Sequence, residues 1–311
     1  MADKTGDEVS VAEPRGLIAF LLNLHEDPQS PPLLEAIALA QEAGFQAVVA
    51  QREPEAVIGP QLPGLRLLVS VGGDGTLLYG ARLVAAAGIP VLGVNHGHLG
   101  FLASVELAEL PAAIAAFGEG RCGHLIRGTL RAVINEDRAP LPPARVELAV
   151  NEVVLKAEAF NLVRIRVRAD SDLIGDFDAD GLIVATSIGS TAYSLSAGGP
   201  PLDPAVPALV VTALNPHAIL TRSLVIPDSC EVTVEMLRGR AVVAADGIPW
   251  GELVEGGEMR VGRGPGLDFC EPPGTAGFFS RLRSKTGFGR VLKPPVVGGE
   301  SDALPPAQPP A

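Results

Sequence analysis

Apolar runs alternate with helically spaced apolar positions over the first hundred or so residues. Gly16-Leu-Ile-Ala-Phe-Leu-Leu22, Ala47-Val-Val-Ala50, Leu67-Leu-Val-Ser-Val71 and Ile89-Pro-Val-Leu-Gly-Val94 each predict a buried strand. Between the first two, Pro32 to Gly44 places Leu33, Leu34, Ile37, Ala38 and Gln41 at helical spacing and stops on a glycine. Leu77, Leu78, Ala81, Val84 and Ala85 predict a second helix, and Leu107 to Phe117 a third. Strands that are apolar throughout and alternate with helices imply an α/β domain with a parallel, Rossmann-like sheet covered on both faces.

From about residue 125 the period changes. Arg131–Ile134, Arg145–Val150 and Val153–Leu155 are short extended runs, and Leu162 to Arg168 alternates strictly between Val163, Ile165, Val167 and Arg164, Arg166, Arg168. The three arginines can grip phosphates, but an alternating charge row is ordinarily a solvated sheet face. Further strands are predicted at Ala208–Leu214, Ser223–Ile226, Glu231–Met236, Ala241–Ala245 and Met259–Val261, so residues 131–270 read as all-β. Phe278 to Thr286 predicts an amphipathic helix that returns to the first domain. The expected organisation is therefore a disordered 1–15, an α/β domain of 16–130 plus 271–290, an all-β domain of 131–270, and a disordered Pro-rich 291–311.

Composition narrows the class of protein. With 47 % apolar residues and only 4 % aromatic among 311, the cores must rest on Leu, Val, Ile and Ala. A formal net charge of −12 argues against non-specific nucleic-acid binding. No apolar run approaches the ~20 residues of a membrane span, and the polar first residues predict no secretory signal. Cys122, Cys230 and Cys270 offer neither a disulfide framework nor zinc spacing, which predicts a reducing, cytoplasmic setting.

The candidate chemistry begins where the third strand stops, at Gly72-Gly73-Asp74-Gly75-Thr76. A strand, a glycine turn and a helix start make a phosphate site: glycine lets a ligand approach the backbone, and the helix start leaves N–H groups free. Gly72, Gly73, Gly75 and Thr76 are the phosphate-binding candidates, with Thr76 expected to cap the helix. Asp74 stands at the mouth of this anion-friendly turn, suited to deprotonating a hydroxyl while phosphate is delivered beside it. An Asp-Gly pair is also a common plain turn. The glycine-lysine phosphate loop, the Gly-x-Gly-x-x-Gly dinucleotide fingerprint after the early strands and the Gly-x-Ser-x-Gly hydrolase elbow are all absent. Asn151-Glu152 sets an amide beside a carboxylate, suited to a base edge and ribose hydroxyls. The stretch from Asp180 to Pro200 takes a buried strand into Gly189-Ser190-Thr191-Ala192-Tyr193, where the tyrosine can stack on a base. His96 and His98 lack further ligands at metal spacing and read as loop residues.

Gly72 to Thr76, Asn95-His-Gly-His-Leu-Gly-Phe-Leu102, Asn151-Glu152 and Asp180 to Pro200 together resemble the NAD kinase family over residues 16–290. The glycine turn is shared with diacylglycerol-kinase-like and phosphofructokinase-like proteins, whereas the last motif is specific. The resemblance implies an α/β domain followed by a β-sandwich domain, with the C-terminal segment returning to the first. It implies transfer of the γ-phosphoryl of ATP, or of polyphosphate, to the 2′-hydroxyl of the NAD adenosine ribose with a divalent cation, Mg²⁺, in a homo-oligomer (a dimer or tetramer). Matched by motif, Asp74 is the general base and Gly75 adds backbone to its site. Asn151 and Glu152 hold ribose and adenine, Asp180 serves the nicotinamide half, and Asn161 is a further contact. Thr191, Ala192, Tyr193, Ser194, Leu195 and Ser196 complete the NAD pocket. The chain departs from the family pattern at Ile188, at Asp178, where a basic residue is usual, and at Ile248, where glutamine is usual. A lipid or sugar kinase built on the same glycine turn, or a dinucleotide sensor without turnover, are the other readings.

Overall fold

The computed structural model describes residues 14–96, 101–135, 145–158, 161–218 and 221–289, so expectations for His98 and for both termini lie outside it. The first part runs β1 (Leu17–Leu22), α1 (Pro31–Glu42), β2 (Gln46–Ala50), α2 (Pro54–Ile58), β3 (Leu65–Val71), α3 (Asp74–Ala85), β4 (Val91–Asn95), β5 (Val105–Glu106), α4 (Leu110–Gly118) and β6 (Gly123–Arg127). Its sheet has the order β2-β1-β3-β4, with β5 also on β4 and all of these pairings parallel. The alternation of side chains along β1 and β3 explains why both faces are covered. Ala19, Leu21 and Leu68 share a buried cluster with Leu77, Leu78, Ala81 and Val84 of α3. Ile18, Phe20, Leu67 and Val69 share another with Leu33 and Ala36 of α1 and Leu110 and Ile114 of α4. The chain leaves β1 to one side for β2 and returns on the other for β3. The sheet therefore has its switch point between the carboxyl ends of β1 and β3, where open α/β sheets bind ligands.

The all-β region contains β7 (Leu130–Asn135), β8 (Arg145–Ala149), β9 (Glu152–Ala157), β10 (Val163–Ala169), β11 (Asp172–Ala179), β12 (Gly181–Thr186), α5 (Tyr193–Ser196), β13 (Ala208–Leu214), β14 (Leu224–Pro227), β15 (Val232–Arg238), β16 (Arg240–Ala245), β17 (Ile248–Val254) and β18 (Glu258–Arg263). They form two six-stranded antiparallel sheets, β11-β10-β15-β18-β7-β8 and β14-β13-β12-β9-β16-β17. One core lies between them, drawing Val163, Ile165 and Val167 from the first sheet and Leu155, Val184 and Val243 from the second. The alternation read in residues 162–168 is thus one inward face and one wet face. Arg164 and Arg166 spend that wet face on bidentate pairs with Asp178 and Asp176 of the neighbouring strand, not on a phosphate. Asp178, one of the departures from the family pattern, is therefore the ion-pair partner of Arg164.

The structure departs from the sequence pattern at four points. The first sheet is mixed, because β6 lies antiparallel at its edge. The strand beside it, β19 (Leu267–Glu271), starts within the stretch read as all-β yet pairs parallel with β4. The edge strands β11 (Asp172–Ala179) and β17 (Ile248–Val254), each interrupted by a glycine and lacking strict alternation, are not predicted. The third helix opens with a 3-10 turn over Leu107–Glu109 before the α-helix proper. Residues 277–289 stand as a separate unit containing α6 (Phe278–Thr286), closed by Gly287 at φ +69°. Among the described residues no helix is long and apolar enough to cross a membrane.

Candidate catalytic and nucleotide site

The glycine turn sits at the switch point. Asn23, the first residue past β1, donates its backbone N–H to Val71 O (2.9 Å) and its Nδ2 to Thr76 Oγ1 (3.0 Å). Thr76 is therefore not the cap. The helix starts earlier, with Gly73 in the capping position and Asp74 as its first residue, and Thr76 braces the turn from inside it. Gly72 has φ +147°, and a Cβ there would lie 2.8 Å from both Asn23 Cβ and Thr76 Oγ1, so only glycine fits. Gly73 and Gly75 are exposed, and a Cβ on either would meet no described atom. The backbone there faces open space, as an approaching phosphate requires. Asp74 Oδ2 accepts the Phe101 N–H at 3.3 Å, while Oδ1 is buried with no partner among the described residues.

The second half of the site is a loop held from two sides. Asp246 Oδ2 accepts the N–H of Val150 (2.9 Å), and its Oδ1 accepts those of Asn151 (2.7 Å) and Glu152 (3.2 Å). On the carbonyl side, Thr186 Oγ1 donates to Val150 O at 2.8 Å and accepts the Gly189 N–H at 3.0 Å. Asp246 and Gly247 lie at φ +47° and +80° in the two-residue turn joining β16 to β17, a conformation that Asp-Gly tolerates. Gly189 presses against the same loop, where a Cβ would lie 2.0 Å from Asn151 O. Val150 and Ile188 share a buried cluster with Leu77, Leu78, Ala81 and Val84, so the loop shares its core with the apolar face of α3.

The Glu152 carboxylate of this loop lies near the backbone N–H of Tyr193 in the Ser/Thr-rich stretch, which favours its charged form. Asn151 and Glu152 are buried, and Glu152 Oε2 has no partner among the described residues. Tyr193, by contrast, is 36 % exposed, which leaves part of its ring accessible to a ligand. The stretch is not an open loop: a 3-10 turn over Gly189–Thr191 leads into α5. Ser194 is buried with its Oγ 3.3 Å from Thr212 Oγ1, so it supports the pocket instead of lining it. Thr191, Ala192 and Leu195 are half-buried and Ser196 is exposed.

Asp180 and Asn161 are not brought to this place. Asp180 precedes β12, about 20 Å along the strand from Thr186 at its other end, and accepts Asn215 Nδ2 at 3.3 Å. Asn161 lies two residues before Val163, which pairs with Ala179 at that same far end. Asn23, Thr186 and Asp246 were missed by sequence reasoning. Asn23 had a usable signal, as the first polar residue after a buried strand, and Asp246 had the Asp-Gly of a hairpin turn.

Burial and the neighbouring Asp246 push the Glu152 carboxyl up to about 7, against the pull of the Tyr193 N–H. Burial raises Asp246 as well, opposed by its three backbone donors and Arg82. Between the ordinary value of 4.5 and about 7, folded Glu152 keeps a proton that the unfolded chain has released. Its contribution therefore makes the fold less stable as pH rises through that window, by about 3 kcal/mol in all, and is constant above it. Urea unfolding at pH 5 and pH 8 should show this slope in the wild type and its loss in Glu152→Gln. Equal slopes in the two proteins would mean that Glu152 ionises normally.

A glycine turn at the switch point of the parallel strands, together with a polar loop of an antiparallel sheet, is the arrangement of a nucleotide-binding protein of two-part α/β and β architecture. The family description "ATP-NAD kinase N-terminal domain" matches residues 40–122, and "ATP-NAD kinase C-terminal domain" matches residues 150–267. The NAD kinase of Heliobacterium modesticaldum is 36 % identical over 287 residues, covering 91 % of this chain and 96 % of the relative. That of Gemmatimonas aurantiaca is 42 % identical over 228 residues, covering 71 % and 77 %. Among solved structures, yeast NADH kinase complexed with NADH has the same fold at a TM-score of 0.77 and 24 % identity, covering 91 % of this chain and 90 % of that one. The chain belongs to the NAD kinase family.

Proposed function

We propose that this enzyme transfers the γ-phosphoryl of ATP to the 2′-hydroxyl of the adenosine ribose of NAD, yielding NADP. The observation that carries the site assignment is that two of the three buried carboxylate oxygens without partners among the described residues, Asp74 Oδ1 and Glu152 Oε2, belong to this site, the third being Asp268 Oδ1 on β19. Buried acceptors are rarely left unmet unless a ligand meets them. Asp74 takes the proton of the attacking 2′-hydroxyl. The backbone of Gly72, Gly73 and Gly75, with the free N–H groups at the start of α3, receives the phosphates. Phosphoryl transfer passes through a loose transition state, so positioning and charge neutralisation supply most of the rate. Asn151 and Glu152 hold adenine and ribose, with Tyr193 stacking on the base and Thr191, Ala192, Leu195 and Ser196 around it.

Mg²⁺ that arrives on ATP phosphates needs only one or two protein carboxylates. Among the described residues no group of three His, Cys, Asp or Glu forms a cage. The residues present fit an ion carried by the phosphates that the glycine turn would receive, which leaves Asp74 Oδ1 to act as the base. Bound there, the ion would neutralise charge on the transferring group. NAD kinase of Archaeoglobus fulgidus, solved in complex with ATP, shares the fold at a TM-score of 0.67 and 21 % identity and covers 87 % of this chain. That supports ATP as donor. A homo-oligomer gives Asp180 and Asn161 a role at NAD, since within one chain they face the far end of the sheet. The free cysteines support a cytoplasmic location.

The test is direct: purified protein with ATP, Mg²⁺ and NAD, with product read by a NADP-specific dehydrogenase. NADP should accumulate, and EDTA should abolish it. Phosphorylation of diacylglycerol or a sugar instead, or NAD binding without turnover, would overturn the reading. Polyphosphate in place of ATP decides the donor in the same assay.

A further inference from the structure

Helix α3 carries Asp74 at its first position and Arg82 eight residues on, about 12 Å further along its axis. Arg82 reaches across to the antiparallel sheet. Its Nη1 donates to Ala245 O at 3.4 Å and lies 3.9 Å from Asp246 Oδ2. The Arg82 side chain is 15 % exposed and that of Asp246 is 0 %, so solvent screens the pair little. Asp246 is the carboxylate that gathers the N–H groups of Val150, Asn151 and Glu152. One guanidinium thus joins the helix bearing the base to the clamp on the loop that holds the acceptor. Buried ion pairs contribute little to net stability, and their attested use is to specify geometry. Arg82 also lines a cavity of about 360 Å³ with Tyr79, Ile248 and Trp250, so its surroundings leave room for it to move unless Asp246 holds it.

We propose that Arg82 is a positioning residue that fixes the spacing between Asp74 and the Val150–Glu152 loop; this rests on Asp74 acting on NAD held by Asn151 and Glu152. ATP phosphates lie on the glycine turn at the opposite end of α3 and do not depend on that spacing. The experiment compares Arg82→Leu, Arg82→Lys, Asp246→Asn and the Arg82→Leu/Asp246→Asn double variant, each first verified as folded by circular dichroism and a cooperative thermal transition. Arg82→Leu should lower kcat/KM for NAD by about 10–100-fold, the scale of a misplaced reactant, with KM for ATP unchanged. Arg82→Lys should recover activity to within about fivefold of wild type, since it restores the charge. The double variant should be no worse than the poorer single one. A folded Arg82→Leu enzyme with normal kcat/KM for NAD, an equal rise in KM for ATP, or additive losses in the double variant would overturn the proposal. Wild type that fails to phosphorylate NAD would instead overturn the functional reading beneath it.

Discussion

Asp74→Asn should lower kcat for NAD phosphorylation by about 10²–10⁴-fold, the usual contribution of a positioned general base, while the dissociation constant for NAD changes less than about threefold. The amide keeps the volume of the carboxylate and can still accept the Phe101 N–H that now reaches Oδ2. It loses the ability to take a proton at Oδ1, which is buried and has no other partner among the described residues. In barrier terms the loss is about 3–5 kcal/mol. Because the interaction with the leaving proton develops only in the transition state, kcat and kcat/KM should fall together. Steady-state kinetics beside equilibrium NAD binding check it. Turnover close to wild type would remove Asp74 from the chemistry.

Gly189→Ala should be almost as costly for a different reason. The added methyl would lie 2.0 Å from Asn151 O and 2.7 Å from its Cα, and both are backbone atoms with no rotamer to yield. The loop has to move by more than an ångström. Its movement breaks contact with Thr186, whose hydroxyl bonds Val150 O and the Gly189 N–H, and disturbs the three bonds into Asp246. If this loop holds the substrate as proposed, a displacement of that size costs on the order of 10²-fold in kcat/KM. Lost hydrogen bonds and strain together should remove about 2–4 kcal/mol of stability. NAD kinetics and urea unfolding read the two effects separately. A well-folded Gly189→Ala enzyme with unchanged KM for NAD would mean that Asn151 and Glu152 do not hold the dinucleotide.

The glycine turn is legible because its chemistry is local. In residues 67–76 the end of a strand, the glycines and the acid all sit within one turn, and the structure places them at the end of β3. The exception is Thr76, whose hydroxyl answers to Asn23, 53 residues away. Asn151-Glu152, as a dipeptide, carries little signal of its own. Its significance comes from Asp246, 95 residues from Asn151, and from Thr186, 36 residues from Val150. Arg82 was an unremarked polar position on a helix, and its partner Ala245 stands 163 residues further on.

By itself the chain determined its periods: which residues of β1, β3, β10 and α3 face a core, where the glycine turn breaks a strand into a helix, and where helical spacing gives way to alternation. Tertiary structure decided the partners. Backbone ladders pair N–H with C=O whatever the side chains, so a strand's pattern states which face is buried but not which strand lies beside it. For that reason β19 could join the parallel sheet and β6 run antiparallel beside it without any mark in their sequence. The same physics placed Asp180 at the far end of β12 from Thr186, a separation that linear proximity within one motif concealed.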